Sequence, residues 1–217
     1  MKNSRRSFFK QGLVGAVALG TASISRPVAA IPTETNARAA KRIVLISLDG
    51  ICVEGYLKAK TPNLDKLMAE GSLSLNTRVV MPSVTLPNWT SHLTGSGPEQ
   101  HGIVDNSWEI SKFTLPAIEK DSAGYYPSVF KVLKDALPQM KTAFYYNWIN
   151  LFYPYNKQYL DEVSYLEEDA YVPNYEKAFS FLKANRTDPT LVFLYSVHTD
   201  HAGHKYKWMS PEYIRSI

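Results

Sequence analysis

The sequence predicts an α/β fold, a largely parallel sheet flanked by helices on both faces, on three observations. Two short apolar runs, RIVLISL (residues 42–48) and PTLVFLYSV (189–197), are nearly continuous and rich in β-branched and aromatic residues, the pattern of strands buried on both faces of a parallel sheet. Segments with apolar residues at helical spacing lie between them, and the order is repeatedly strand then helix, as in βαβ units.

The first strand, 42–48, ends in Asp49-Gly50, which places a carboxylate where the strand emerges. In TPNLDKLMAEG (61–71), Thr61 stands at a cap with Pro62 after it, Leu64, Leu67 and Met68 share one face, and Gly71 is the stop. A strand is expected over 74–80. A turn and a helix follow it, with Pro87 in the first helical turn and Gly95 at the C-terminal stop. Residues 127–137 read as helix, KTAFYYN (141–147) as strand, 175–185 as helix and 189–197 as strand. No linker divides residues 41–217, and there is no internal repeat.

Residues 1–30 read as an export signal rather than as part of this core. Lys2, Arg5 and Arg6 precede an apolar run from Gly12 to Ala22, and Val28-Ala29-Ala30 forms a small-residue cleavage site. SRRSFFK (4–10) resembles the twin-arginine motif, which implies recognition by the twin-arginine export machinery and a periplasmic destination. The apolar run is too short, and too rich in Gly, Ala and Ser, for a stable membrane span. Residues 31–40 are small and polar, a flexible lead-in.

Composition narrows the function classes. With 45% hydrophobic and 20% charged residues, the chain is globular and able to bury one core, neither disordered nor fibrous. The formal charge of +4 arises in the leader: its five Lys and Arg are unopposed by acid, and without them the remainder carries −1. A basic nucleic-acid-binding surface is therefore not expected. The lone Cys52 excludes an internal disulfide and thiolate-rich zinc modules, so any metal must be held by Asp, Glu, His or hydroxyl groups.

Open parallel sheets carry their functional groups in loops after the carboxyl ends of strands. Three places qualify: Asp49, the 81–88 turn, and HTDHAGHKY (198–206), expected as a loop. In the last, three of the five histidines fall beside Asp200. Asp200 and His204 stand four apart, so that a helical turn or a tight loop around Gly203 presents both to one ion. Carboxylate and imidazole suit zinc best. Taken singly, each place also has an ordinary explanation: a solvated His-rich loop, an Asp-Gly turn, and Thr85 as a helix cap.

Taken together, VLISLDG (44–50), TPNLDKLMAEG (61–71), PSVTLPNWTSHLTGSGPEQHGIVDN (82–106) and DHAGH (200–204) resemble the alkaline phosphatase superfamily. Within it, they resemble the type I phosphodiesterase/nucleotide pyrophosphatase branch. The resemblance implies an enzyme that holds two divalent metal ions, zinc first and manganese second, and hydrolyses phosphodiester or nucleotide pyrophosphate bonds of a small-molecule phosphate ester or nucleotide. A phosphomonoesterase or a non-catalytic binding relative is the alternative. By motif, Asp49 would bind the metal that activates the nucleophile, Thr85 would be both ligand and nucleophile, and Asn106 would hydrogen-bond a phosphoryl oxygen. Asp200 and His204 would bind the second metal. Ser83 is the fallback nucleophile, Asn88 and His101 are structural, and His198 and His201 are solvated or support the ligands. The family pattern continues past residue 217 with an Asp-His pair and a further His, so the chain is expected to be a C-terminally truncated part with half-built metal sites and an unpaired sheet edge. The aromatic-rich stretch between Ala143 and Tyr175 is either a wall for a nucleobase or ordinary packing.

Overall fold

A computed structural model of the chain describes residues 41–167 and 169–217; the expected signal and lead-in lie outside the described residues. The described residues belong to one compact unit. Among the described residues, four strands form one sheet in the order β1-β4-β2-β3: β1 (Arg42–Leu48), β2 (Lys141–Tyr146), β3 (Glu162–Tyr165) and β4 (Thr190–Ser196). Every pairing is parallel. The helices are α1 (Val53–Lys58), α2 (Pro62–Glu70), α3 (Thr85–Thr94), α4 (Pro98–His101), α5 (Val129–Ala136), α6 (Tyr171–Ala184), α7 (His198–Tyr206) and α8 (Pro211–Ser216). Among the described residues, no helix is long and apolar enough to cross a membrane.

Strand alternation divides the core between the two faces of the sheet. Phe144, Tyr146, Phe193 and Tyr195 pack on one face with Leu86 and Leu93 of α3 and Phe130 of α5. Ala143, Tyr145, Val192 and Leu194 pack on the other under Ala178 and Phe181 of α6. All of β4 is buried, as its apolar run predicts. The aromatic stretch serves this packing, since Phe144, Tyr146, Phe152 and Tyr155 form one contiguous group of rings.

Several expectations need correction. β1 is not buried on both faces: Ile46 is 58% exposed, and Ile43, Val44 and Leu45 are exposed as well. It is an edge strand, and the helices that cover β2 and β4 do not extend over it. Residues 74–80 form no strand. Instead of a ladder partner, the Val80 amide finds the Asn88 side chain, donating to Oδ1 at 2.8 Å. Residues 198–206 are a helix rather than a loop, and α6 begins at Tyr171, earlier than expected, because Pro173 falls in its first turn, where no amide is needed. β3 was not anticipated; its four residues are too short to show a period.

The difference between the two strands is measurable. Phe144→Ala removes a ring packed from several sides and should cost about 3–5 kcal/mol, whereas Ile46→Ser on exposed β1 should change stability by no more than about 0.5 kcal/mol. Urea unfolding of both variants against the parent checks this.

Candidate active site

The β1–β4 register brings two chain segments out of the sheet side by side. Leu48 pairs with Ser196, and the Asp49 amide donates to the Ser196 carbonyl at 2.9 Å. Asp49 therefore leaves β1 beside the start of α7. Gly50 then adopts φ +74°, and a Cβ there would lie 2.5 Å from the Asp200 Cα, so a residue with no side chain is what lets the two carboxylate-bearing segments touch. Each Asp49 oxygen has a donor: the Gly50 amide reaches Oδ1 at 2.9 Å, and the Tyr195 hydroxyl reaches Oδ2 at 2.5 Å. Burial and the Asp49 charge hold the Tyr195 phenol well above its ordinary pKa, so it remains a donor.

Along α7, Asp200 and His204 share a face, with His204 Nε2 3.5 Å from Asp200 Oδ2. Burial raises the Asp200 carboxyl first and the Asp49 charge raises it further, while His204 and His201 pull it back. Gly203 leaves room for Trp208, whose ring a Cβ at that position would strike. Trp208 stands edge-on to His204, with centroids 5.5 Å apart. The residues on either side of it have left-handed backbone, Lys207 at φ +77° and Met209 at φ +66°, so the ring is held in place against local backbone preference.

Thr85 is the first residue of α3, with Val84 rather than Thr85 at the cap. The Asn106 side chain takes over part of the capping: its Oδ1 accepts the Leu86 amide at 2.8 Å, which turns the side-chain NH2 away from that contact. The Asn150 side chain in turn holds the Asn106 carbonyl at 3.0 Å. Asn88 clips the preceding turn through its NH2, to Val84 O at 2.8 Å and Pro82 O at 3.2 Å. His101 is buried, with Nε2 3.0 Å from Ser91 Oγ and Nδ1 accepting the Ile103 amide. His101 is buried, whereas Asn88, besides clipping the turn, lines the same cleft as Thr85.

Asp49, Thr85, Asn106, Asp200 and His204 line one cleft of about 580 Å³ with Ser83, Trp89, His92 and Trp208. His198 and His201 do not join them: they lie on another face of α7, their Nδ1 atoms 3.4 Å and 2.6 Å from the two oxygens of Asp169. Sequence reasoning missed Trp89, His92, Tyr195 and Trp208. Of these, Trp89 and His92 were detectable, since they follow Thr85 at helical spacing and so share its face. Among the described residues, no three His, Cys, Asp or Glu side chains converge closely enough to hold an ion by themselves.

The fold and the cleft at the carboxyl ends of its strands define the class: part of an alkaline-phosphatase-like α/β domain. Murine ectonucleotide pyrophosphatase/phosphodiesterase 5, solved as an inactive variant in complex with AMP, superposes with a TM-score of 0.64 at 20% identity, over 80% of this chain and 47% of that one. The human counterpart does so at 0.58. The family model for type I phosphodiesterase/nucleotide pyrophosphatase matches residues 43–217, and the chain belongs to that family. It is 29% identical over 189 residues to ectonucleotide pyrophosphatase/phosphodiesterase family member 3 of Rattus norvegicus, covering 81% of this chain and 21% of the relative. Venom phosphodiesterase 2 of Crotalus adamanteus is 29% identical over 192 residues, with 81% and 22% covered. The chain thus spans about a fifth of the length of the curated relatives it matches.

Two tests bear on this geometry. Burial lowers His101 from 6.5 to about 4. With the folded value below the unfolded one, the stability of the neutral imidazole is present above pH 6.5 and is lost as pH falls towards 4. His101→Gln should flatten the stability-versus-pH curve over that window by as much as about 3 kcal/mol in urea unfolding. Gly50→Ala should cost about 1–3 kcal/mol through its left-handed backbone and its collision with Asp200, measured in the same way.

Proposed function

We propose that this protein hydrolyses phosphodiester or nucleotide pyrophosphate bonds, with Thr85 as the nucleophile. The observation that carries the reading is the single cleft in which the first residue of α3, Thr85, meets Asp49, Asn106, Asp200 and His204. Family membership supports the reaction class. The murine relative is inactive after one threonine was replaced by alanine and was solved with AMP, which favours a threonine nucleophile and a nucleotide substrate here too.

The donor set suits a hard or borderline dication, zinc first and manganese second. Gly50 lets the segments that carry Asp49 and Asp200 pack together, and the upward push of the Asp49 charge on Asp200 is a repulsion that a cation would remove. Asp49 and Thr85 would hold one ion, and Asp200 and His204 the other, with the remaining coordination supplied by water or further ligands. Bound there, dications lower the pKa of hydroxyl groups and water and neutralise charge on phosphoryl oxygens.

The chain's own groups then do the following. The Thr85 hydroxyl loses its proton to water and its oxygen attacks phosphorus; the Thr–O–P bond forms as the ester P–O bond breaks, and the leaving group departs with the electron pair. The N-terminus of α3 favours negative charge at Thr85. The NH2 of Asn106, free of the Leu86 contact, donates to a phosphoryl oxygen. Water hydrolyses the phosphothreonine and restores the hydroxyl. Delivery through the twin-arginine route would carry the protein folded into the periplasm.

Elemental analysis of the purified protein, run alongside hydrolysis of bis(p-nitrophenyl) phosphate, tests the reading. Bound zinc or manganese is expected, with p-nitrophenol release that chelator suppresses and that Thr85→Ala lowers by at least about a thousandfold. Undiminished release by Thr85→Ala would eliminate Thr85 as the nucleophile.

A further inference from the structure

We propose that Tyr195 is a positioning residue for this cleft: its buried hydroxyl fixes the Asp49 carboxylate against the approaching α7 and so sets how tightly the cleft holds a divalent cation. The inference rests on the metal-binding reading above and extends it to a residue outside the ligand set.

Tyr195 lies in the interior of β4, 1% exposed. It pairs in register with Ser47, so its side chain reaches two residues along the neighbouring strand to Asp49. The ring is locked by the α3-facing core, with Trp89 edge-on at 5.7 Å. The hydroxyl therefore has little freedom, and it is 2.5 Å from Asp49 Oδ2. On the other side of the carboxylate, the Gly50 amide holds Oδ1 at 2.9 Å.

One donor on each oxygen leaves the Asp49 carboxylate unable to rotate about its own axis without breaking a bond. It also leaves a lone pair on each oxygen for the cleft. Partners of this kind, lying behind a ligand, orient it and tune its basicity, and their loss commonly costs ten- to a hundredfold in metal affinity. The backbone donor cannot be lost by substitution, but the phenol can. It is also specific to one ring position, since phenylalanine preserves every packing contact and removes the bond alone.

The decisive comparison is Tyr195→Phe with the parent protein, titrated with Zn²⁺ and with Mn²⁺ by calorimetry, with the thermal midpoint of each metal-free protein recorded in parallel. The expected result is ten- to hundredfold weaker cation binding by Tyr195→Phe at a metal-free midpoint within a few degrees of the parent. Equal affinities would overturn the role of Tyr195 and leave the metal site standing. A metal-free midpoint that collapses would show that the hydroxyl serves the fold, overturning the proposal. A parent protein that takes up neither cation would overturn the metal-binding reading itself, and this inference with it.

Discussion

The parallel pairing of β1 with β4 is the constraint on which the cleft depends. Leu48 pairs with Ser196, so both strands end at the same level and their following residues emerge together. α7 starts immediately, at His198, and carries Asp200 onto the Gly50 turn. A register slip of one residue would turn the side chains of one strand to the opposite face. It would carry Tyr195 away from Asp49 and break the Asp49–Ser196 backbone bond that aligns the two exits. The placement of Asp49 and Asp200 is thus a property of the sheet rather than of two independent loops.

Thr85 reaches the same place by a different route. α3 docks through Leu86 and Leu93 onto Phe193 and Tyr195, and Trp89 stands edge-on to both rings. The face of β4 that supports α3 therefore includes the tyrosine that holds Asp49. Apolar packing fixes the direction of the helix, and two asparagines fix its start: Asn88 gathers the turn before it, and Asn106 takes the Leu86 amide. Displacement of α3 would alter the contact of Trp89 with Tyr195 as well as the position of Thr85.

Much of this was legible in the sequence, for definite reasons. The carboxyl ends of the strands, the cap and stop of α2 and the stop of α3 are local signals, whereas the cap of α3 falls on Val84 rather than the expected Thr85; the residues that share the cleft were identified by motif, in which Asp49, Thr85, Asn106, Asp200 and His204 stand at recognisable positions. What was not legible depends on three-dimensional neighbours. The RIVLISL run of β1 has the same apolar character as β4, and only the strand order makes one an exposed edge and the other a covered centre. Residues 74–80 have strand composition but bond to Asn88, a competitor that no periodicity reveals. Tyr195 looks like any core tyrosine until the register shows which carboxylate its hydroxyl meets.

The electrostatics of the cleft run against stability in a way that bears on its use. Asp200 is only partly exposed, and its carboxyl is raised by burial and by Asp49; its ion-pair partner His204 is 71% exposed at the side chain, where water screens the attraction. Two converging carboxylates with so weak a counter-charge are a local cost in the protein alone, and simple structural economy would replace one with an amide. The surrounding structure instead reinforces the arrangement: two donors hold Asp49, Gly50 removes the steric barrier to Asp200, and the ring of Trp208 packs edge-on against His204 on α7. Local cost maintained by such specific support is what a site shaped for a charged guest, rather than for stability alone, would show, and the divalent cation proposed for this cleft would supply the missing positive charge.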